Sequence, residues 1–214
     1  MTSLLLMSST FGLRSQRLGA KRVMDVVLVG LALPILLPVF AVLALIVRCT
    51  SKGPVFFVQQ RIGRHGVPFG MIKFRSMVSD AEASLADVLA HNDRDSICFK
   101  SKDDPRITAV GRILRRSSMD ELPQLINVLK GEMSLVGPRP AVAREVALYP
   151  AAAFERLAAL PGITGPWQVA GRADLGFDEM VALDVDYVRN AGLLADLRIL
   201  RQTFGAVASG RGAY

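Results

Sequence analysis

Cysteine and histidine are scarce in this 214-residue chain, with two of each. Cys49 closes an apolar run and Cys98 stands in a polar stretch. Neither has a second cysteine at metal-ligand spacing, which excludes a disulfide framework and a zinc site and fits a reducing compartment. His65 and His91 are single imidazoles in polar, turn-rich surroundings and read as solvated side chains rather than ligands. The patterns G-x-G-x-x-G, G-x-x-x-x-G-K-[ST] and G-x-S-x-G are missing, so dinucleotide, P-loop and α/β-hydrolase readings have no support. Acidic residues are outnumbered, 19 against 26 basic ones, giving a net charge of +7. That balance suits an anionic partner: nucleic acid, a phosphorylated substrate or an acidic lipid surface.

What the chain has instead is apolar residues, 51% of the total, with a mean hydropathy of +0.35. This is high for a soluble enzyme and low for a polytopic membrane protein, so one membrane element on a globular body is expected. Residues 26–47 carry no charged side chain. As a straight helix they would measure roughly 33 Å, enough to cross a bilayer core. Pro34 and Pro38 each lack an amide hydrogen and crowd the carbonyl four residues back, so a sharp bend is expected there. Arg14, Arg17, Lys21 and Arg22 precede the run and Arg48 and Lys52 follow it, so the positive-inside tendency places both ends in the cytoplasm. A re-entrant helix-break-helix over 21–50, dipping into one leaflet, is therefore favoured over a kinked span, a buried core helix or a cleaved signal peptide. Residues 1–20, rich in serine and leucine with scattered arginines, read as a mobile or membrane-surface leader.

Residues 51–214 form the body. Val55 to Gln60 and Phe69 to Phe74 are β-prone and separated by Gly63, Gly66 and Pro68, a hairpin pattern. Arg61, Arg64, Lys73 and Arg75 make that hairpin basic, as a solvated face against anionic head groups or as part of a substrate site. Ala81 to Ala90 is weakly helical, and His91 to Asp104 is a charge-mixed loop ending before Pro105. From Phe177 the pattern is helical again, and Leu193 to Val207 is an amphipathic basic helix suited to the body or a membrane surface. The expected fold class is α+β: a mostly helical cytoplasmic body with a short β-hairpin on an N-terminal re-entrant membrane helix.

The candidate chemistry lies between Gly111 and Pro140. Leu122, Leu125, Ile126 and Leu129 fall on one helical stripe, and Gly131 supplies a C-terminal stop. With Asp120 as the N-cap, Pro123 takes the third helical position, whose amide has no intrahelical partner. This frame sets the Asp120 carboxylate, with Glu121 beside it, at the positive end of a helix. A plain cap and a first-turn charge explain the two acids taken alone. They do not explain Arg112, Arg115 and Arg116 just upstream, or Gly137-Pro138-Arg139-Pro140 just downstream. Two prolines fix φ on either side of Arg139, presenting its guanidinium for bidentate phosphate binding at little entropic cost. Adjacent carboxylates among arginines suit a divalent metal and a phosphorylated substrate. Pro161 to Arg172 packs turn residues around Trp167, an interfacial anchor or a base-stacking residue.

These residues, in this order, resemble the bacterial sugar transferase family, the monotopic polyprenyl-phosphate phosphoglycosyl transferases. The resemblance runs from Lys21-Arg22-Val23-Met24-Asp25 to Asp196-Leu197-Arg198-Ile199-Leu200. It is most specific at Ser118 to Leu125, at Gly131 to Pro140 and at Pro161 to Gly165. The family implies a re-entrant helix with both ends cytoplasmic, an Asp120–Glu121 catalytic pair that also holds Mg2+, and Arg115, Arg139 and Arg172 on substrate phosphates. It further implies a nucleoside-diphosphate sugar donor, with a UDP-hexose as first guess, and a polyprenyl phosphate acceptor. Asp120 would attack the donor to give an aspartyl phosphosugar and release UMP, as the first membrane step of exopolysaccharide or O-antigen-type assembly. The role of Glu121 stays open between metal ligand, orienter and proton acceptor. A homodimer, downstream glycosyltransferases and the cytoplasmic leaflet of the bacterial inner membrane are the partners and location implied, with no nucleic acid. Other members carry Ser-Pro at the helix break where this chain has Leu37-Pro38. The chain also resembles the minimal catalytic form, and the further transmembrane region of larger members is not expected. Two competing readings are a non-enzymatic membrane-anchored scaffold and a soluble nucleotide-sugar hydrolase.

Overall fold

A computed structural model describes residues 2–81, 104–171 and 175–209, with side chains from residue 19 onward. The first element, α1 (Thr2–Thr50), is one helix that continues through Pro34 and Pro38 and takes in the expected leader. The interruption anticipated at the prolines is therefore not seen in the helical pattern. Each proline removes one donor while the amides around it keep their bonds, so a proline can bend a helix without ending it. Residues Gly19–Thr50 are long and apolar enough to cross a membrane, and only 11% of their most apolar window is buried. That exposure argues against the core helix of a soluble protein.

What α1 does bury is a single stripe. Val29, Leu33 and Leu36 pack with Phe69, Met71, Leu125, Val128 and Met133. Phe40, Leu43, Ala44 and Val47 pack with Val55, Phe74, Val110, Leu114 and Leu122. The intervals of three and four residues keep these side chains on one helical face, leaving Leu31, Ile35 and Leu45 outside at 69%, 72% and 65% exposure. Polar contacts fasten the helix on both sides of its uncharged run. Lys21 Nζ pairs with Asp196 at 2.6 Å, Arg22 donates to the carbonyls of Val128 and Leu129, and buried Asp25 accepts from Ser134 Oγ at 2.7 Å and the Leu135 amide at 3.2 Å. On the other side, Arg75 Nη2 donates to the carbonyl and the hydroxyl of Ser51, both at 2.8 Å.

Strands β1 (Phe56–Ile62) and β2 (Pro68–Phe74) form the expected antiparallel hairpin, with Gln59 opposite Met71 and Arg61 opposite Phe69. Its turn is a short 3-10 stretch, Arg64–Gly66, and His65 is exposed as expected. Helix α2 (Ala109–Arg116) starts at Thr108, whose hydroxyl caps the Gly111 amide at 2.9 Å. Helix α3 (Gln124–Lys130) ends at Gly131 in the left-handed conformation, φ 81°, which glycine adopts without a Cβ clash. Buried Asn127 on α3 accepts from the Ile72 amide at 3.0 Å and donates to the Gly70 carbonyl at 2.7 Å, fastening the hairpin to the helix.

Beyond α3 the structure departs from expectation. β3 (Ser134–Val136) and β4 (Gly162–Thr164) form a two-stranded parallel sheet, Ser134 against Gly162 and Val136 against Thr164. Three-residue strands show no usable alternation; Gly162–Thr164 lies in the turn-rich Pro161–Arg172 stretch, and Ser134–Val136 carries no pattern of its own. Between them lie α4 (Ala143–Val146) and a 3-10 helix, Ala151–Ala158; α5 (Pro166–Ala170), α6 (Phe177–Asn190) and α7 (Leu193–Ser209) follow. Helix α6 packs on the 3-10 helix through Tyr149, Ala153 and Val181. Helix α7 buries Ile199 against Val136 and Tyr187 and leaves Leu194 and Phe204 exposed, the expected amphipathic pattern. The weak helix expected from Ala81 to Ala90 and the loop after it lie, except for Ala81 and Asp104, outside the described residues.

Candidate active site

The acidic pair sits in a sharp reversal of the chain. After α2, Ser118 takes a left-handed conformation, φ 56°, one of two non-glycine residues with positive φ among those described. Met119–Glu121 then forms a 3-10 turn, closed by the Leu122 amide on the Met119 carbonyl at 3.3 Å. Asp120 is therefore not the N-cap of α3. The α-helix begins only at Gln124, behind Pro123, because i-to-i+3 bonding tightens the segment and the missing proline amide falls just before the first helical residue. This later start places the Asp120 side chain inward, at 6% exposure.

Around it the structure gathers cations from three parts of the chain. From the hairpin, Lys73 Nζ pairs with Glu121 at 2.7 Å. From α2, Arg115 lies close enough to act electrostatically on Asp120, its Nε held by Ser76 Oγ at 2.9 Å, whereas Arg112 and Arg116 are exposed. From the proline turn, Arg139 lies 3.7 Å from Glu145 and its guanidinium carbon 6.0 Å from the Trp167 ring centre. Trp167 thus packs beside a site arginine, and its buried indole nitrogen has no hydrogen-bond partner among the described residues. Burial pushes the Asp120 carboxyl up to about 6, Glu121 pushing the same way and Lys73 and Arg115 opposing. Burial acts upward on Glu121 too, but Lys73, with Arg139 and Arg61, outweighs it and holds that carboxyl below its ordinary value. Two adjacent acids are thereby driven apart in proton affinity, an arrangement that separates chemical roles.

The Gly137-Pro138-Arg139-Pro140 turn is built by close backbone approach. A Cβ on Gly137 would lie 2.3 Å from the Leu160 carbonyl, and one on Gly162 would lie 2.1 Å from the Gly137 amide, so both positions need glycine. The turn's carbonyls are bound in succession: Pro138 by the Gly162 amide at 2.9 Å, Arg139 by Arg156 Nη2 at 3.4 Å and Pro140 by Arg61 Nη1 at 2.9 Å. Arg156 is itself locked in a buried ion pair with Asp184 at 2.6 Å.

Asp120, Glu121, Arg115 and Arg139 are thus brought together, while Arg172 lies outside the described residues. Lys73, Arg61 and Glu145 also belong to the site, although no motif in the sequence places them there. A signal for the first two existed in strand alternation: residues 59 and 61 share a face with 69, 71 and 73 across the paired register, so a basic pair on that face travels together.

The bacterial sugar transferase family model matches residues 16–210. The chain belongs to this family. The transferase is 43% identical over 199 residues to the exopolysaccharide production protein ExoY of Sinorhizobium fredii, covering 91% of this chain and 88% of the relative. It is 48% identical over 169 residues to the undecaprenyl-phosphate galactose phosphotransferase of Salmonella typhimurium, covering 76% of this chain and 35% of that longer protein. To the UDP-glucose:undecaprenyl-phosphate glucose-1-phosphate transferase of Caulobacter vibrioides it is 38% identical over 202 residues, 91% of this chain and 72% of the relative. Membership in an enzyme family removes the scaffold reading. The transferase offers two adjacent carboxylates for a cation, and no cluster of three acidic, histidine or cysteine side chains occurs among the described residues. This donor set fits Mg2+, which takes one or two carboxylates and completes its shell with water and substrate phosphates.

Proposed function

We propose that this transferase moves a sugar 1-phosphate from a nucleoside-diphosphate sugar, a UDP-hexose first among candidates, to undecaprenyl phosphate, with Asp120 as the nucleophile. The observation that carries this reading is a buried carboxylate, raised by burial yet ionised at neutral pH, beside Lys73, Arg115 and Glu121. Little hydration has to be stripped from such a group before it attacks. The Asp120 oxygen forms a bond to the β-phosphorus as the bond to the oxygen bridging the α- and β-phosphorus breaks, and UMP leaves with that oxygen. The oxygen of the lipid phosphate then attacks the same phosphorus, which frees the carboxylate and yields a polyprenyl diphosphosugar. Two in-line exchanges let one side chain serve both substrates in turn.

Mg2+, held by Asp120 and Glu121, would neutralise diphosphate charge so that an anion can approach. Lys73 orients Glu121 through the 2.7 Å pair, and Arg115 and Arg139 bind equatorial phosphate oxygens, where charge spreads in phosphoryl transfer. Arg172 is assigned to the same anion.

Topology supports lipid access. Lys21 and Asp25 before the uncharged run and Ser51 after it bond to the same body, which supports a reading in which both flanks of the run lie on its side of the membrane. On this reading α1 bends at Pro34 and Pro38 within one leaflet, with the body on the cytoplasmic face, which would hold the site near the lipid phosphates. Mg2+-dependent UMP release from UDP-galactose or UDP-glucose, requiring undecaprenyl phosphate and lost in folded Asp120→Asn, tests the reading. Release with water alone would favour the hydrolase.

A further inference from the structure

Arg61 is a buried cation whose hydrogen bonds among the described residues all go to neutral groups. It is 7% exposed; Nη1 donates to the Pro140 carbonyl at 2.9 Å, and Nε and Nη2 both reach Gln59 Oε1, at 3.0 and 2.6 Å. Its neighbour Ile62 donates its amide to the Ala141 carbonyl at 2.8 Å, so β1 grips two consecutive residues directly after Arg139. Burying a guanidinium is expensive, and a neutral donor would satisfy a carbonyl more cheaply. Glu121 and Glu145 supply the compensating field, whereas Arg139 and Arg144 oppose it.

The turn needs outside support. Pro138 and Pro140 have no amide hydrogen, so the segment cannot fasten itself through its own donors at those positions and is held by its carbonyls instead. Arg156 reaches the Arg139 carbonyl at 3.4 Å, a long contact, while the Arg61 bond to Pro140 is short and charge-assisted. We infer that Arg61 is a positioning residue for Arg139, holding the Pro140 carbonyl so that the Arg139 guanidinium enters the site in a fixed direction. The inference rests on the proposed role of Arg139 in binding substrate phosphate. Gln59 completes the relay by fixing the other edge of Arg61.

A double-mutant cycle tests it. Turnover of UDP-galactose and UDP-glucose with undecaprenyl phosphate is measured for the full chain in detergent, using radiolabelled donors so that slow variants remain measurable. The four proteins are wild type, Arg61→Met, Arg139→Ala and the double variant, each checked by thermal unfolding. Arg61→Met should lower kcat roughly tenfold or more, since a misdirected Arg139 loses transition-state contact, and should add less than about twofold in the Arg139→Ala background. Arg61→Lys should recover part of the loss, as one ammonium can reach Pro140 but cannot also hold Gln59 as a fork. If Arg61→Met does not fold, Gln59→Leu goes through the same cycle with the same expectation. Equal losses in both backgrounds, or wild-type kcat in folded Arg61→Met, would overturn the positioning role. Near wild-type turnover in Arg139→Ala would instead overturn the Arg139 reading itself, and this inference with it.

Discussion

Replacing Asp120 by asparagine should stabilise the protein while abolishing its chemistry. Burial lifts this carboxyl from 3.8 to about 6, which corresponds to a cost of about 3 kcal/mol once the group is ionised in the folded state. The sign follows from proton binding. The native state holds the Asp120 proton more tightly than the unfolded chain does, so the penalty is absent below pH 4, grows as pH rises through 4 to 6 and is complete above that. Asparagine carries no charge and escapes it. At about 2–4 °C per kcal/mol for a chain of this size, and allowing for the desolvated amide, the variant should melt roughly 5–10 °C higher at pH 7. The two proteins should converge near pH 4. Differential scanning calorimetry in one detergent across that pH range reads the effect, and UMP release from a UDP-sugar reads the activity. In the wild type, kcat/KM should fall on the acid side as the nucleophile protonates. A variant that melts lower at pH 7, a difference that ignores pH, or substantial UMP release by the folded variant would refute the reasoning.

Other outcomes can be checked separately. Arg139→Lys keeps the charge and loses the planar fork, so it should reduce kcat/KM nearly as far as Arg139→Ala, on the order of ten- to a hundredfold; a lysine variant within about twofold of wild type would return Arg139 to a structural role. Lys73→Met removes the largest influence holding Glu121 down, so burial should prevail and the Glu121 carboxyl should titrate higher, moving any Glu121-dependent limb of the pH profile upward; an unmoved profile would separate Glu121 from catalysis. Cysteine probes at Gly19 and Lys52, in an otherwise cysteine-free chain, should both label from the cytoplasmic side, and opposite labelling would establish a spanning helix. Asp25→Ala leaves the Ser134 hydroxyl and the Leu135 amide without their buried acceptor, so it should cost about 1–3 kcal/mol and lower the melting temperature in detergent; an unchanged midpoint would mean α1 is held mainly by its apolar stripe.

Some of this protein was settled by order along the chain. The uncharged run of 26–47, the hairpin with its glycine-rich turn, the stop at Gly131 and the amphipathic α7 are local patterns, and their physics needs only neighbours within a few residues. The same holds for Asp120 and Glu121 as a pair and for Arg139 between its prolines. The family resemblance drew on those short stretches. Tertiary structure decided what they face. Whether Asp120 caps a helix or turns inward depended on the left-handed Ser118 and the 3-10 turn after it, and that choice set its burial and raised its proton affinity. Of the three upstream arginines, Arg115 is held toward the site by Ser76, thirty-nine positions away. Lys73 and Arg61 reach the acids only because the hairpin lies on α3, held by Asn127. The β3–β4 pair was illegible because three residues carry no period, and its partner arrives across a gap of more than twenty residues. A side chain's field extends through space and not along sequence. Which charges share a site therefore belongs to the fold, while which residues can bend, stop or bury themselves belongs to the chain.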